Sequence, residues 1–243
     1  MVSKLPHWAW SGAWLLTFIA GFVNIVGLLG FEQQALSHLT GTTSILAAAL
    51  AERNLEDVLS ISAIIGSFLT GSILSGLIIQ DSTLQFRRRY GVALLVQCVL
   101  LCASVPLFVG HIDFGMNLVA CACGLQNAMA TTYSGAAVRT THLTGILTDF
   151  GTIIGQGLCG LPVDKQRLGL YVTIISAFIA GGVAGALGYR AYSYPVLYVP
   201  AALTAVTAAY SLYKAASRSR DTDLRPAGPA AAAAPGPMAS PAE

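Results

Sequence analysis

The sequence predicts an all-α, polytopic transmembrane helical bundle built from two related halves, and three observations carry the prediction. Of 243 residues, 55% are hydrophobic and only 10% charged, with a mean hydropathy of +0.67, which lies outside the range of soluble globular domains. Apolar windows recur at the length of about 20 residues that a helix needs to cross roughly 30 Å of hydrocarbon. The tetrapeptide HLTG occurs twice, at His38 and at His142, within similar surroundings. A backbone in lipid must satisfy its hydrogen bonds internally, so helices are expected.

The first window, Trp8 to about Phe31, follows a short start bearing Lys4. Its apolar core is too long for a cleaved signal, and no small-residue cleavage site follows, so it reads as a retained first span. Five more windows read as full spans: about Val58 to Gln80, Gly91 to Gly110, Phe114 to Tyr133, Leu168 to Tyr189 and Tyr192 to Tyr213. Trp8, Trp10 and Trp14 at the first entry, and Tyr210 and Tyr213 at the last exit, suit the headgroup level. Pro195 and Pro200 are expected to kink the last helix. From Ala216 to residue 243 the chain turns rich in Pro and Ala, loses apolar periodicity and reads as a disordered tail.

The two HLTG segments are helical in length but loaded with small hydroxyl residues, so each either crosses or dips in and returns. Lys and Arg bias arbitrates. Eight spans set Lys4, Arg53, Lys165, Arg167, Lys214, Arg218, Arg220 and Arg225 against Arg87, Arg88, Arg89, Arg139 and Arg190. Six spans with two re-entrant HLTG pieces leave only Arg53 and Arg190 facing away from all the others. The six-span plan, with both termini cytoplasmic, fits the bias better.

The likeness is wider than HLTG. GFVN at Gly21 answers GLQN at Gly124, and IIGSFLTG at Ile64 answers IISAFIAG at Ile174, giving with His38 and His142 ordered offsets of 103, 104 and 110 residues. The domain of residues 1–215 thus divides into repeat one (about 10–80), a linking helix (about 90–111), repeat two (about 114–190) and a last helix (about 192–213). With six spans the halves enter from opposite sides, the inverted-repeat plan of many secondary transporters; with eight they are parallel.

The block GFVN, the hydroxyl-rich TG segment, GLQN and VRTTHLTG together resemble the YoaK-like bacterial membrane proteins, catalogued as domain of unknown function 1275. The resemblance covers about residues 10 to 215, and Gly124 to Asn127 with Val138 to Gly145 is its more specific part. The chain departs from the family's pattern at Asn24, where an Asp is common, and in HLTGTTS, where M-T-G-N-T is common. The resemblance implies a polytopic inner-membrane protein and supplies no substrate or activity.

Helical spacing aligns Ser37, Thr40 and Ser44 on one stripe, and Thr141, Thr144, Thr148 and Thr152 on another. Gly41 and Gly145 allow close approach or a break, and freed backbone groups are tolerated at membrane depth only in protein or beside a cavity. Two such pieces meeting near the midplane would form a polar site. The plainer reading is that the hydroxyls bond back to their own helices and the glycines tighten packing. The duplication raises the first reading, because paired interrupted segments point to a transport site. The expected substrate pathway is Asn24, His38, Thr40, Gly41, Thr43, Gln126, Asn127, His142, Thr144, Gly145, Thr148 and Asp149.

Among ionisable residues, Glu32 and Arg139 suit the headgroup level, His38 and His142 are repeat-equivalent, and Asp149 breaks the symmetry because Ile45 stands in its place in the first half. Asp149 could hold a proton or cation, or lie unpaired at the surface. Gly71-x-x-x-Ser75, Gly151-x-x-x-Gly155 and Gly181-x-x-x-Gly185 read as packing devices. Cys98, Cys102, Cys121, Cys123 and Cys159 read as small apolar filler, with no metal and no cofactor expected. Enzyme signatures are missing, and a net charge of +2 gives no reason to expect nucleic acid. The expected partners are the lipid bilayer and a small polar solute or ion, with a homo-oligomer left open. Two functions remain: a small-solute transporter or channel with its site between the HLTG pieces, or a non-transporting scaffold or partner-binding subunit.

Overall fold

The computed structural model describes residues 7–30, 39–80, 86–133 and 141–223, among which no strand occurs. In chain order the helices are α1 (His7–Gly30), α2 (Leu39–Glu52), α3 (Leu55–Ile78), α4 (Phe86–Val109), α5 (Phe114–Tyr133), α6 (Leu143–Leu158), α7 (Lys165–Tyr192) and α8 (Tyr198–Asp223), with a 3-10 turn (Tyr194–Leu197) before α8.

Polar caps start two of the spans. Asn54 accepts from the Asp57 amide at 3.3 Å, with Glu56 and Asp57 complementing the helix dipole of α3, and Asp164 accepts from the Gln166 and Arg167 amides at 3.1 Å at the start of α7. Pro195 stands in the 3-10 turn and Pro200 in the first turn of α8, where a missing N–H is harmless, so neither kinks the last helix as expected. Pro106 lies inside α4. Helix α8 also overruns the expected boundary at 215, reaching Asp223 on good helix formers such as Ala216 and Arg218. The rest of the expected tail, and with it Glu32, His38 and Arg139, lies outside the described residues.

Among the described residues, five segments are long and apolar enough to cross a bilayer: Trp10–Gly30, Leu55–Ile78, Arg88–Val109, Lys165–Tyr192 and Tyr194–Ser217. The chain is a multi-pass membrane protein. The expected sixth span, α5, has the length at 20 residues but not the apolarity, because it carries Asn117, Gln126 and Asn127. It needs less, since Val119, Ala120, Leu125 and Met129 are buried among other helices and not turned to lipid. Helices α2 and α6, at 14 and 16 residues, are about 21 and 24 Å long, short of the roughly 30 Å core.

Contacts along each pair of helices set their directions. Trp10 lies against Gly169, Phe18 against Gly181, Phe22 against Gly185 and Gly30 against Tyr189, so α1 and α7 run parallel. Tyr90 donates to the Met129 carbonyl at 3.3 Å, Gln97 bonds Gln126 and the Phe108 ring covers Gly115, so α4 and α5 are antiparallel. Gly91 meets Leu212 while Phe108 stacks on Tyr194, so α8 also opposes α4. Arg89 reaches the Gln80 carbonyl at 3.3 Å, placing the end of α3 beside the start of α4 and α3 parallel to α5. Gly30 touches Tyr194, which stacks on Phe108 over Gly115, whereas the Leu16 carbonyl meets Gln126; α1 is therefore antiparallel to α5.

Two glycine-mediated pairs dominate the packing. In α1·α7 a Cβ at Gly21 would overlap the Phe178 carbonyl and one at Gly181 the Phe18 carbonyl. In α3·α5 a Cβ at Gly124 would overlap the Phe68 carbonyl and one at Gly71 the Cys121 carbonyl. Helices of this kind cohere by dispersion at backbone contact distance, which only the smallest side chain allows. Beyond these pairs, α4 packs on α5 and α8, α2 on α3 alone, and α6 on α7 alone. Helix α7 meets the remainder through the 3-10 turn, and α1 meets α5, α8 and that turn. The bundle is two bodies, α1–α7 with α6 and α3–α5 with α2, α4 and α8, joined along a seam filled by an apolar core in which Ile19, Phe22, Val23 and Val26 of α1 pack with buried residues of α3, α4, α5, the 3-10 turn and α8.

Candidate functional site

Polar side chains gather in that seam. Gln97 of α4, Gln126 of α5 and Thr141 just before α6, with Ala20, Val23, Leu101, Ala122 and Cys123, line a cavity with room for about one water molecule. Gln97 is 1% exposed and Gln126 3%. The Gln126 Nε2 donates to the Leu16 carbonyl of α1 at 2.6 Å, so its Oε1 is left to accept from the Gln97 Nε2. That chain orients both amides and leaves the Gln97 Oε1 buried with no partner in the protein. The Thr17 hydroxyl is likewise buried and unpartnered. Thr17, Ala20 and Asn24 follow one another at steps of three and four along one stripe of α1, and all three are buried. Ser104, two turns beyond Gln97 on the same stripe of α4, is buried and donates to the Leu101 carbonyl at 2.7 Å.

Two expected pathway residues, Asn24 and Gln126, are in this region, and Asn127 beside them is half-buried. Thr40, Gly41, Thr43, His142, Thr144, Thr148 and Asp149 are not; all are exposed except for the half-buried Gly145 among them, and α2 and α6 do not touch. The structure does not form the expected site between the HLTG pieces, because each packs on the helix that follows it and those helices belong to different bodies. The inward positions of the pieces are Thr42 with Ala49, and Ile146; Thr42 and Ile146 each stand two residues from the nearest members of the expected hydroxyl stripes, on the opposite side of the helix. The hydroxyls are turned onto their own backbones: Thr43 to Leu39 at 2.7 Å, Ser44 to Thr40 at 3.0 Å, and Thr148 and Thr152 to Thr144 and Thr148 at 2.9 Å. A Cβ at Gly41, Gly151 or Gly155 would meet nothing within 4 Å, so of the expected packing glycines only Gly71, Gly181 and Gly185 serve inside this chain.

Asp149 is neither unpaired nor free for a cation. It accepts from the Arg167 Nη2 at 3.0 Å and from the Tyr171 hydroxyl at 2.8 Å, while the Arg167 Nε donates to that hydroxyl at 2.7 Å. With Ile146 against Leu170, Tyr171 and Ile174, this group is what fastens α6 to α7. Asp149 and Arg167 are about half exposed, so Asp149→Asn is expected to cost roughly 1 kcal/mol or less in global stability. It is expected to raise thiol labelling of a cysteine placed at Thr141; unchanged labelling would show that α6 is held by its apolar contacts alone.

Gln97 escaped the sequence reading. It sits on the linking helix, outside either repeat, and the available signal was a lone amide in the middle of a long apolar window. Among the described residues, no group of three or more His, Cys, Asp or Glu could hold a metal ion. A family model described as "Protein of unknown function (DUF1275)" matches residues 12–210. No curated protein and no solved structure matches the chain.

Proposed function

The chain belongs to the DUF1275 family of proteins of unknown function, and we propose that it moves a small solute across the inner membrane along the seam between the α1–α7 and α3–α5 bodies. The observation that carries the reading is the buried Gln97–Gln126 pair beside a cavity between the two bodies. Interhelical hydrogen bonds in membranes contribute only about 0.6 to 2 kcal/mol, and a buried acceptor without a partner costs about as much. Stability alone therefore gives little reason for the arrangement.

The glycine contacts support the inverted repeat. When Gly21 is matched with Gly124 and Ile64 with Ile174, the contact of Gly21 on Phe178 becomes that of Gly124 on Phe68. The contact of Gly181 on Phe18 likewise becomes that of Gly71 on Cys121. The matched helices α1 and α5 run in opposite directions, as a two-fold axis in the membrane plane requires. The short α2 and α6, and the start of α6 beside Thr141 in the cavity, support two re-entrant pieces. Arg88, Arg89, Lys165, Arg167 and Lys214 belong to helix ends on one side and Arg53 and Arg190 to ends on the other, which supports cytoplasmic termini. A reporter fused after Arg89 should then read cytoplasmic and one fused near Asn54 periplasmic; the reverse pair would restore eight spans.

The transport reading is tested by stopped-flow swelling of vesicles holding the purified protein, against a panel of urea, glycerol, sodium formate and ammonium chloride. Permeation of at least one solute above empty vesicles is expected. Swelling indistinguishable from empty vesicles for the whole panel would leave the scaffold, which the back-bonded hydroxyls of α2 and α6 favour.

A further inference from the structure

We infer that the seam is a binding site for a small neutral molecule that donates hydrogen bonds through N–H or O–H groups, such as a simple amide or polyol, and that it rejects ions. The inference rests on the seam being a pathway, but it concerns what the seam can hold. Two buried oxygens lack a protein partner there or next to it, the Gln97 Oε1 in the cavity wall and the Thr17 Oγ1 one turn from Ala20. The amide oxygen of Gln97 can only accept, so the group that meets it must donate. Every buried polar side chain among the described residues is uncharged: Thr17, Asn24, Thr42, Ser75, Gln97, Ser104, Gln126, Thr141 and Thr204. An ion entering the seam would lose its hydration without meeting a counter-charge, whereas a neutral donor exchanges one set of hydrogen bonds for another. The cavity has room for about one water molecule in this conformation, so a larger guest enters only as the helices lining it part.

The test uses the full chain in lipid nanodiscs with glutamine side-chain amides labelled with 15N, and the Gln97 and Gln126 signals assigned from Gln97→Leu and Gln126→Leu. Urea and acetamide are titrated against guanidinium chloride and sodium acetate, ions of matched size and shape. The expected result is a saturable shift of the Gln97 amide with urea and acetamide, none with either ion beyond that of sodium chloride, and loss of the urea-dependent shift of Gln126 in Gln97→Leu. A shift with guanidinium or acetate, or none with any probe, overturns the inference. Vesicle swelling read in parallel separates the two claims: amide shifts without permeation keep the site and remove transport, and permeation by ions without amide shifts does the opposite.

Discussion

Gly124→Leu and Gly71→Leu are each expected to abolish recovery of folded protein from membranes. At these positions the first atom of any side chain falls on the backbone of the facing helix, at the Phe68 and Cys121 carbonyls, and a carbonyl inside a helix cannot swing away as the end of a side chain can. Overpacking in a core typically costs about 1 to 3 kcal/mol when neighbours can repack. Here whole helices must separate, so the loss should exceed that range and remove the α3·α5 contact. Gly21→Leu and Gly181→Leu should do the same to α1·α7. Gly41→Leu and Gly151→Leu face open space and should leave the folded fraction unchanged, as judged by a monodisperse elution profile and thermal melting. Equal losses in both groups would mean that α2 and α6 have partners beyond this chain.

Gln126→Leu should lower both stability and permeation, and adding Gln97→Leu should restore only the first. The single change removes the acceptor for the Gln97 Nε2 and the donor to the Leu16 carbonyl, leaving a buried amide with neither of its groups paired; that costs about 1 to 3 kcal/mol. The double change replaces both amides with apolar groups of similar size, which removes the orphaned groups together with any affinity for a polar guest. The measurements are thermal melting in detergent and vesicle swelling on the four proteins of the cycle. A double variant that still conducts would place the pathway elsewhere, and one no more stable than Gln126→Leu would mean that the single variant's cost comes from packing.

Much of the scaffold was readable because bilayer spans announce themselves by length and composition. The bounds of α5 were read as Phe114 to Tyr133 and observed as such, and α1 begins and ends within a residue of the window from Trp8 to Phe31. Helix α8 ran past its expected end because a solvated helix rich in Ala, Ser and Arg has no apolar stripe to betray it. The faces of α2 were unreadable for a related reason. In LTGTTSILAAALAE the inward positions are the small Thr42 and Ala49 while the larger Ile45 and Leu50 are exposed, so the face that packs on α3 is not marked by an apolar pattern. Gln126 and Asn24 could be nominated because the repeated blocks drew attention to them. Gln97 has no repeat-mate, and only the packing of α4 on α5 brings it to Gln126.

The crossed glycine pairs also set an order of events at the ribosome. Helix α1 leaves the tunnel first, yet the backbone groove that fits its Gly21 belongs to α7 and is centred on Phe178. At roughly 5 to 20 residues per second, the interval between the two is on the order of 10 s. Throughout it α1 must be held by lipid or by the insertion machinery with its mating surface open. Chains interrupted anywhere before α7 therefore carry an unmated first helix, and should be cleared by membrane proteases far faster than chains that lack only the residues after Arg220.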